Sequence, residues 1–400
     1  MSCRRGYARG PRRRRYTGHT LRIGLVTATY LPSRNGVATS TALLAGALRA
    51  LGHEVRVFAP QHPRAGSEDG VYRLPSLLFG APQDYPLLLP LPGRAAAGLP
   101  LADLDVLHTM HPFVAGQTAL AWARALRVPL LFTAHTQYHE YLHYARMPRR
   151  VSRPLVRRHV RAFAQAADRV LVPGRAMKAA LRAYGYRGAV TRLPNPVDVS
   201  AFAGHDRLAA RAALGLDPDR PVQVYLGRLA GEKNLGTLLA AHACARRTVP
   251  GLTLLVVGDG PQREALERKE TPDVRFVGAV DYARVPGMLA AADAFVTASV
   301  SEVLPMSMLE ALAAGLPLVV ARSPAADDLV QDGVNGLLCG ASAPDLAGGM
   351  VRMLGDPAAL ARLRQGAQAS AAGHDAARVA ARLAHLYAAL ISVRAVPRTA

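Results

Sequence analysis

The sequence predicts a doubly wound α/β protein built as two Rossmann-like domains that face each other across a cleft. Three observations predict it. Short apolar runs alternate with helical patterns, as the buried strands of a parallel sheet do. The alternation breaks near residue 200 and restarts at Val222. The chain has 400 residues, half of them hydrophobic and 19% charged, about twice the size of one domain.

Residues 1–21 read as a disordered basic arm. Ordered pattern starts at Arg22, where Arg22 to Thr27 reads as a first buried strand. The Pro32–Gly36 loop follows, then an apolar helix over about Thr39–Leu51, which Gly52 caps, then a strand at His53–Phe58. Strand, glycine loop, helix and strand make one βαβ unit. The Pro-rich stretch Pro82–Pro100 reads as an irregular surface loop. Strands recur at Asp105–His108, Pro129–Phe132 and Arg169–Val172. Past the Asn195–Asp198 loop come strands at Val222–Leu226, Leu252–Val257 and Ala294–Thr297, with a helix from Leu235. A final helical pattern, 375–393, is long enough to reach back to the first domain. The expected domains are therefore 22–202 and 203–374, with that helix returning.

Composition narrows the function class. Cys3, Cys244 and Cys339 are too few and too scattered for a disulfide framework or a zinc site. No run approaches the ~18 apolar residues of a spanning helix, and the Arg-rich start lacks the features of a signal peptide. A cytoplasmic protein is expected. The net charge is +21, and its location is informative: +7 in residues 1–20, +13 in 21–205 and +1 in 206–400. One half is expected to meet an anionic surface.

Two segments carry chemistry. Ser301 to Leu312 follows an apolar strand and opens a helix ending near Gly315. Glu302 falls on the loop and Glu310 in the first turns of the helix, where a helix N-terminus favours phosphate and an acid can accept from sugar hydroxyls. Acids at helix starts also serve as caps, an equal alternative for this segment alone. Gly227 to Asn234 again follows a strand, and places Arg228 and Lys233 at a sheet's carboxyl edge, where open α/β sheets bind ligands. Two such cations suit a leaving diphosphate; the alternative is solvated charge at a turn. Asp103 with Asp105, and Asp217 with Asp219, match a metal-binding spacing, but they run into a strand and a turn. No metal site is expected. Gly258-Asp259-Gly260 lacks the last glycine of a dinucleotide fingerprint.

The second half resembles glycosyltransferase family 4, retaining enzymes of the GT-B fold that use nucleotide sugars without a metal. The resemblance runs through Leu193 to Asp198 with Phe202, Gly227-Arg228, Glu232 to Asn234, Val257 to Pro261, Val274 to Gly278 and the glutamates Glu302 and Glu310. It implies that Arg228 and Lys233 hold the donor diphosphate, Glu310 the ribose and Glu302 the transferred sugar, with backbone near Val277 meeting the base. Leu304 and Met306 fall on the same donor loop. Val303 departs from the smaller or polar residue of many relatives.

The first half points to the acceptor. Tyr30 to Ser40 is similar to the glycine loop of bacterial diacylglycerol glycosyltransferases, with Gly36 allowing close approach to the donor phosphate. Thr133 to Tyr144 resembles the His-Thr, Tyr, Tyr, His-Tyr pattern of that group, through His135, Tyr138 and Tyr141. Asp105 to Phe113 resembles the segment that carries a functional histidine; His111 is preferred over His108. From Arg146 to Arg161, seven arginines in sixteen residues interleave with apolar side chains at helical spacing. Arg149, Arg150, Arg153, Arg157 and Arg158 are expected on a basic amphipathic helix lying on anionic lipid; a solvated helix face is the bland alternative.

The expectation is a metal-independent enzyme, peripheral on the inner membrane face, that moves a hexose from UDP-glucose or UDP-galactose to diacylglycerol with retention and no further cofactor. In that reading 22–202 faces acceptor and membrane, and 203–374 binds the nucleotide sugar. Relatives of this group commonly begin with Met in the place of Leu21, so residues 1–20 are read as upstream of the start. A rival keeps the fold and takes a phosphoinositide, cell-wall or polysaccharide acceptor. A nucleic-acid-binding protein is a distant third, because it leaves the donor motifs unexplained.

Overall fold

The computed structural model describes residues 20–33, 35–77, 86–90, 98–136, 149–269, 271–303 and 305–395. Residues 1–19, Tyr138, Tyr141, Leu304, the side chain of Arg149 and much of the Pro82–Pro100 stretch lie outside the described residues.

The strands follow in chain order as β1 (Arg22–Val26), β2 (Glu54–Pro60), β3 (Val71–Leu74), β4 (Ser76–Leu77), β5 (Leu87–Leu88), β6 (Val106–Thr109), β7 (Leu130–Thr133), β8 (Arg169–Val172) and β9 (Val190–Arg192). Apart from the small antiparallel hairpin β4–β5, they form one parallel sheet in the order β3-β2-β1-β6-β7-β8-β9. The second half adds β10 (Val222–Leu226), β11 (Thr253–Val257), β12 (Val274–Gly278), β13 (Ala294–Thr297), β14 (Leu318–Ala321) and β15 (Gly336–Cys339). These are again all parallel, in the order β12-β11-β10-β13-β14-β15. Two Rossmann-like sheets is the architecture the alternation predicts.

Each sheet is buried on both faces, which is why its strands read as continuous apolar runs. On one face of the first sheet, Ile23, Leu25, Val57 and Leu131 pack with Leu44 and Leu48 of the helix Gly36–Ala50. On the other, Val26, Phe132 and Val170 pack with Trp122 of the helix Val114–Leu126 and with Val160 and Phe163 of the helix Arg149–Ala166. The second sheet is filled in the same way, by Leu309 and Leu312 on one face and Leu238, Leu346 and Met350 on the other. The helix Gly36–Ala50 starts three residues before the pattern suggested. Asn35 fixes that start, since its side chain accepts from the Ala38 N–H at 3.0 Å.

The last helix, Ala376–Ala395, is long and apolar enough over Ala376–Arg394 to cross a membrane by length and composition. Its apolar stripe is used elsewhere. Val379, Leu383, Tyr387 and Leu390 are buried in the first half's core, against the helix Gly36–Ala50.

In both sheets the strand order reverses at the first strand: between β1 and β6, and between β10 and β13. Doubly wound sheets bind ligands beyond the carboxyl ends of the strands at such points. Here the two reversal points open into one cleft of about 1680 Å³.

Candidate active site

The cleft is built from strand ends. Ala28 and Thr29 follow β1, His111 follows β6, and His135 and Thr136 follow β7. From the other side come Gly227 and Arg228 after β10, Val280 to Tyr282 after β12, Glu302 after β13, and Pro305 to Met308 with Glu310 at the next helix. The helix Gly36–Ala50 turns its N-terminus into the cleft, and Gly36 lies against Met306 of the facing half, 3.2 Å from a Cβ placed on the glycine to the Met306 Cγ. Val303 crosses the seam too: it is buried in the first half's core cluster.

The loop bearing Arg228 is held tightly. Gly227 and Gly258 both have positive φ, and a Cβ on Gly258 would meet the Gly227 carbonyl at 1.9 Å. The Tyr225 hydroxyl donates to the Arg228 carbonyl at 3.1 Å. Burial, with the charges of Glu302 and Glu232 adding to it, pushes that phenol well above its ordinary value. Only glycines let the 227–229 and 258–260 loops lie so close.

Lys233 sits on the short turn Gly231–Lys233 and pairs with Glu302, whose carboxylate also accepts from Ser299 at 3.1 Å. The Asn234 side chain ties the end of this turn to the Ala298 carbonyl at 3.2 Å. The two motifs read in the sequence therefore meet as an ion pair at the carboxyl ends of adjacent strands. A cation here can meet a phosphate, and the carboxylate can accept from a sugar hydroxyl.

Glu310 is buried and faces the Tyr282 hydroxyl. Burial pushes its carboxyl up to about 7, and the hydrogen bond from Tyr282 draws it part of the way back. Burial and the Glu310 charge in turn push the Tyr282 phenol far up.

On the first half, the His111 Nδ1 accepts from the Ala28 N–H at 3.1 Å. Burial lowers its pKa to about 3, with His135 adding to the effect, so the ring is neutral at pH 7. A neutral ring that accepts at Nδ1 carries its proton on Nε2, and so offers a donor. His135 is also neutral, lowered by burial to about 4.

Three expectations need correction. His108 does not reach the cleft: it is fully buried, 2.7 Å from the Tyr387 hydroxyl and 2.6 Å from Thr133 Oγ1. Strand alternation turns it into the sheet, while His111 lies beyond the strand end. Val277 is not on the cleft wall but packs against the second half's core; the loop past β12, Val280 to Tyr282, takes that place. Arg157 is half-buried and covers the Tyr184 ring at 5.8 Å, while Arg150, Arg153 and Arg158 are exposed on the helix Arg149–Ala166. Tyr282 and Tyr225 were missed. The signal for both was position, since each stands at or just past the carboxyl end of a strand. Asp103 and Asp105 sit at the opposite edge, before β6, paired with Arg22 and Arg56. Among the described residues no cluster of His, Cys, Asp and Glu is arranged to hold a metal ion.

Two facing parallel sheets with a charged lip and an imidazole-bearing lip around one cleft are the GT-B architecture. Sucrose-phosphate synthase from Thermosynechococcus elongatus has the same fold: TM-score 0.75 at 23% identity, covering 93% of this chain and 100% of that one. The Glycosyltransferase Family 4 profile matches residues 34–201, and that of the Glycosyl transferases group 1 matches 206–370. The chain is 30% identical over 346 residues to an alpha-monoglucosyldiacylglycerol synthase of Streptococcus pneumoniae, covering 84% of this chain and 78% of that protein. It is 31% identical over 327 residues to a GDP-mannose-dependent alpha-mannosyltransferase of Mycobacterium tuberculosis, covering 80% and 83%. The chain belongs to glycosyltransferase family 4.

Proposed function

We propose that this glycosyltransferase moves a hexose from UDP-glucose or UDP-galactose to the hydroxyl of diacylglycerol, with retention and without a metal. The observation that carries the donor half is the Lys233–Glu302 pair beside Arg228 in the cleft. Arg228 and Lys233 take the diphosphate as charge develops on it, Glu302 takes the sugar, and Glu310 the ribose. The Nε2–H of His111 donates to sugar or acceptor. The leaving phosphate accepts the acceptor's proton, so the protein contributes positioning and charge. Retention is supported by the relative's name: an α-linked product from an α-linked nucleotide sugar keeps its configuration.

Two observations support a lipid acceptor. One is the resemblance to the diacylglycerol-modifying relative. The other is the helix Arg149–Ala166, which carries no acid and exposes Arg150, Arg153, Arg158 and Arg161 with Leu155 among them. Such a face gains ~1 kcal/mol per cation at an anionic surface, which suits a peripheral enzyme on the cytoplasmic leaflet. The mannosyltransferase relative favours a second reading, GDP-mannose with a different acceptor.

The test is mass spectrometry of lipid extracts after incubation with diacylglycerol in anionic vesicles and UDP-glucose, UDP-galactose or GDP-mannose supplied separately. A hexosyl-diacylglycerol from one donor, lost in Glu302→Ala and Lys233→Ala, is expected. No lipid product from any of them, with the protein folded and binding nucleotide, would sink the acceptor claim and leave the donor site standing.

A further inference from the structure

Behind the cleft wall, the basic surface helix touches the segment that carries His111. His159, on the helix Arg149–Ala166, has Nε2 2.9 Å from the Pro112 carbonyl. A carbonyl only accepts, so Nε2 carries the proton and donates. The same ring lies parallel to Phe113, at 3° and 5.0 Å between centroids. One turn on, Phe163 closes on the same segment: a Cβ at Gly116 would meet the Phe163 ring at 2.8 Å and the His111 carbonyl at 2.2 Å. Residues 112, 113 and 116 thus meet a single helix from one side, with His159 supplying both the polar contact and the stack, and Gly116 in turn lies close against the His111 carbonyl.

We propose that His159 is a positioning residue, which holds the Pro112–Phe113 backbone so that His111 presents its imidazole to the cleft. The proposal rests on the reading of His111 as the acceptor-side donor. It gives the helix two roles, since its outer face carries Arg153, Leu155 and Arg158 while its inner face sets the seat of His111. Movement of the helix relative to the sheet reaches the site through these two contacts.

The test compares His159→Ala, His159→Gln and His159→Phe in the full chain. Gln keeps a donor for Pro112, and Phe keeps the stack on Phe113. In transfer to diacylglycerol in anionic vesicles, His159→Ala should lower kcat tenfold or more. Donor KM, vesicle co-sedimentation and the melting temperature should stay near those of the parent. His159→Gln or His159→Phe should recover part of the loss. In a His111→Ala background, His159→Ala should change kcat less than twofold, because its effect passes through His111. A second readout needs no turnover. The Ala28 amide, which donates to His111 Nδ1, should exchange hydrogen faster in His159→Ala, with amides of the second half unchanged.

Unchanged kcat, full additivity with His111→Ala, or unchanged Ala28 exchange would each overturn the proposal. A parent enzyme with no lipid product fails the functional reading instead, and the exchange measurement still decides the positioning claim.

Discussion

Glu310 offers the sharpest test of the donor site, because burial has set its carboxyl to titrate where binding is easily measured. Its pKa stands at about 7 in the empty cleft, against an ordinary value of 4.5. If it accepts hydrogen bonds from ribose hydroxyls, the donor selects the carboxylate and expels the proton. About a tenth of the protein carries that carboxylate at pH 6 and about nine-tenths at pH 8, so affinity should rise about tenfold, ~1.4 kcal/mol, between them. His111 and His135, at about 3 and about 4, are already neutral over this range and add no slope. UDP-glucose suits the measurement because its diphosphate has no free terminal group to titrate there. Calorimetry in two buffers of different ionisation enthalpy should show roughly 0.9 proton released per site at pH 6 and 0.1 at pH 8. Glu310→Gln should abolish both the slope and the release. At pH 8 it should also lose roughly 1.5–3 kcal/mol of affinity, the worth of hydrogen bonds to a charged group. In the empty protein the sign reverses. A carboxyl whose pKa rises on folding contributes its stability below about pH 4.5 and loses it as pH climbs through 7. Glu310→Gln should therefore melt higher than the parent at pH 8 and alike at pH 4.5. A pH-independent affinity in the parent, or a slope that persists in Glu310→Gln, would refute the assignment.

Three further outcomes follow from the packing. Asp293 is buried and accepts from Arg211 at 2.7 Å, Arg207 at 3.0 Å, Arg364 at 3.1 Å and the Val222 N–H at 2.9 Å. Because Arg211 is only 1% exposed, Asp293→Ala strands a buried cation and should cost about 3–5 kcal/mol in urea unfolding. Gly258→Ala should leave a folded protein with donor binding weakened at least tenfold, since its methyl would force the Gly227 carbonyl, and Arg228 with it, out of place; parental donor affinity by calorimetry would contradict that. His108, lowered by burial to about 3 from 6.5, stays neutral in the folded state while the unfolded chain protonates. Stability should thus fall by ~1.4 kcal/mol per unit as pH drops below 6.5, and urea midpoints for His108→Gln should show a shallower acid limb.

The sequence was read most accurately where local pattern and burial coincide. The strands at 169–172, 222–226 and 294–297 match residue for residue, because a strand covered on both faces is a short, mostly apolar run, interrupted in these three only by the buried Gln223. The Lys233 and Glu302 motifs, sixty-nine residues apart, fell at neighbouring strand ends because the strand order of the sheet puts β13 beside β10. Facing was harder to read. His108 and His111 lie in one short segment, and only the register of β6 tells which of them is swallowed by the sheet. Val277 and Tyr282 belong to the same strand-and-loop, yet the inward turn of the strand keeps Val277 in the core. Arg157 looked like its neighbours until Tyr184, twenty-seven residues on, covered it. No local pattern records a partner contributed by another element.

The structure shows where the charge asymmetry lies relative to the cleft. Residues 21–205 carry a net +13, yet among the described residues of the cleft wall that half supplies one cation, Arg64, and one acid, Asp198. The other charges of the cleft wall come from the near-neutral half: Arg228 and Lys233, with Glu232, Asp281, Glu302, Glu310 and Asp375. Among the described residues the basic excess of the first half therefore lies away from the cleft wall, in part on the helix Arg149–Ala166. This division fits the proposed function, in which the protein meets a diphosphate and an anionic surface at once. A diphosphate bound between fixed partners needs few cations, each compensated, because desolvated charge left unpaired in the empty state is costly. A surface that attracts an extended anionic layer needs many, uncompensated and in water. Under the proposed function, one chain separates the two demands by giving each to a different half.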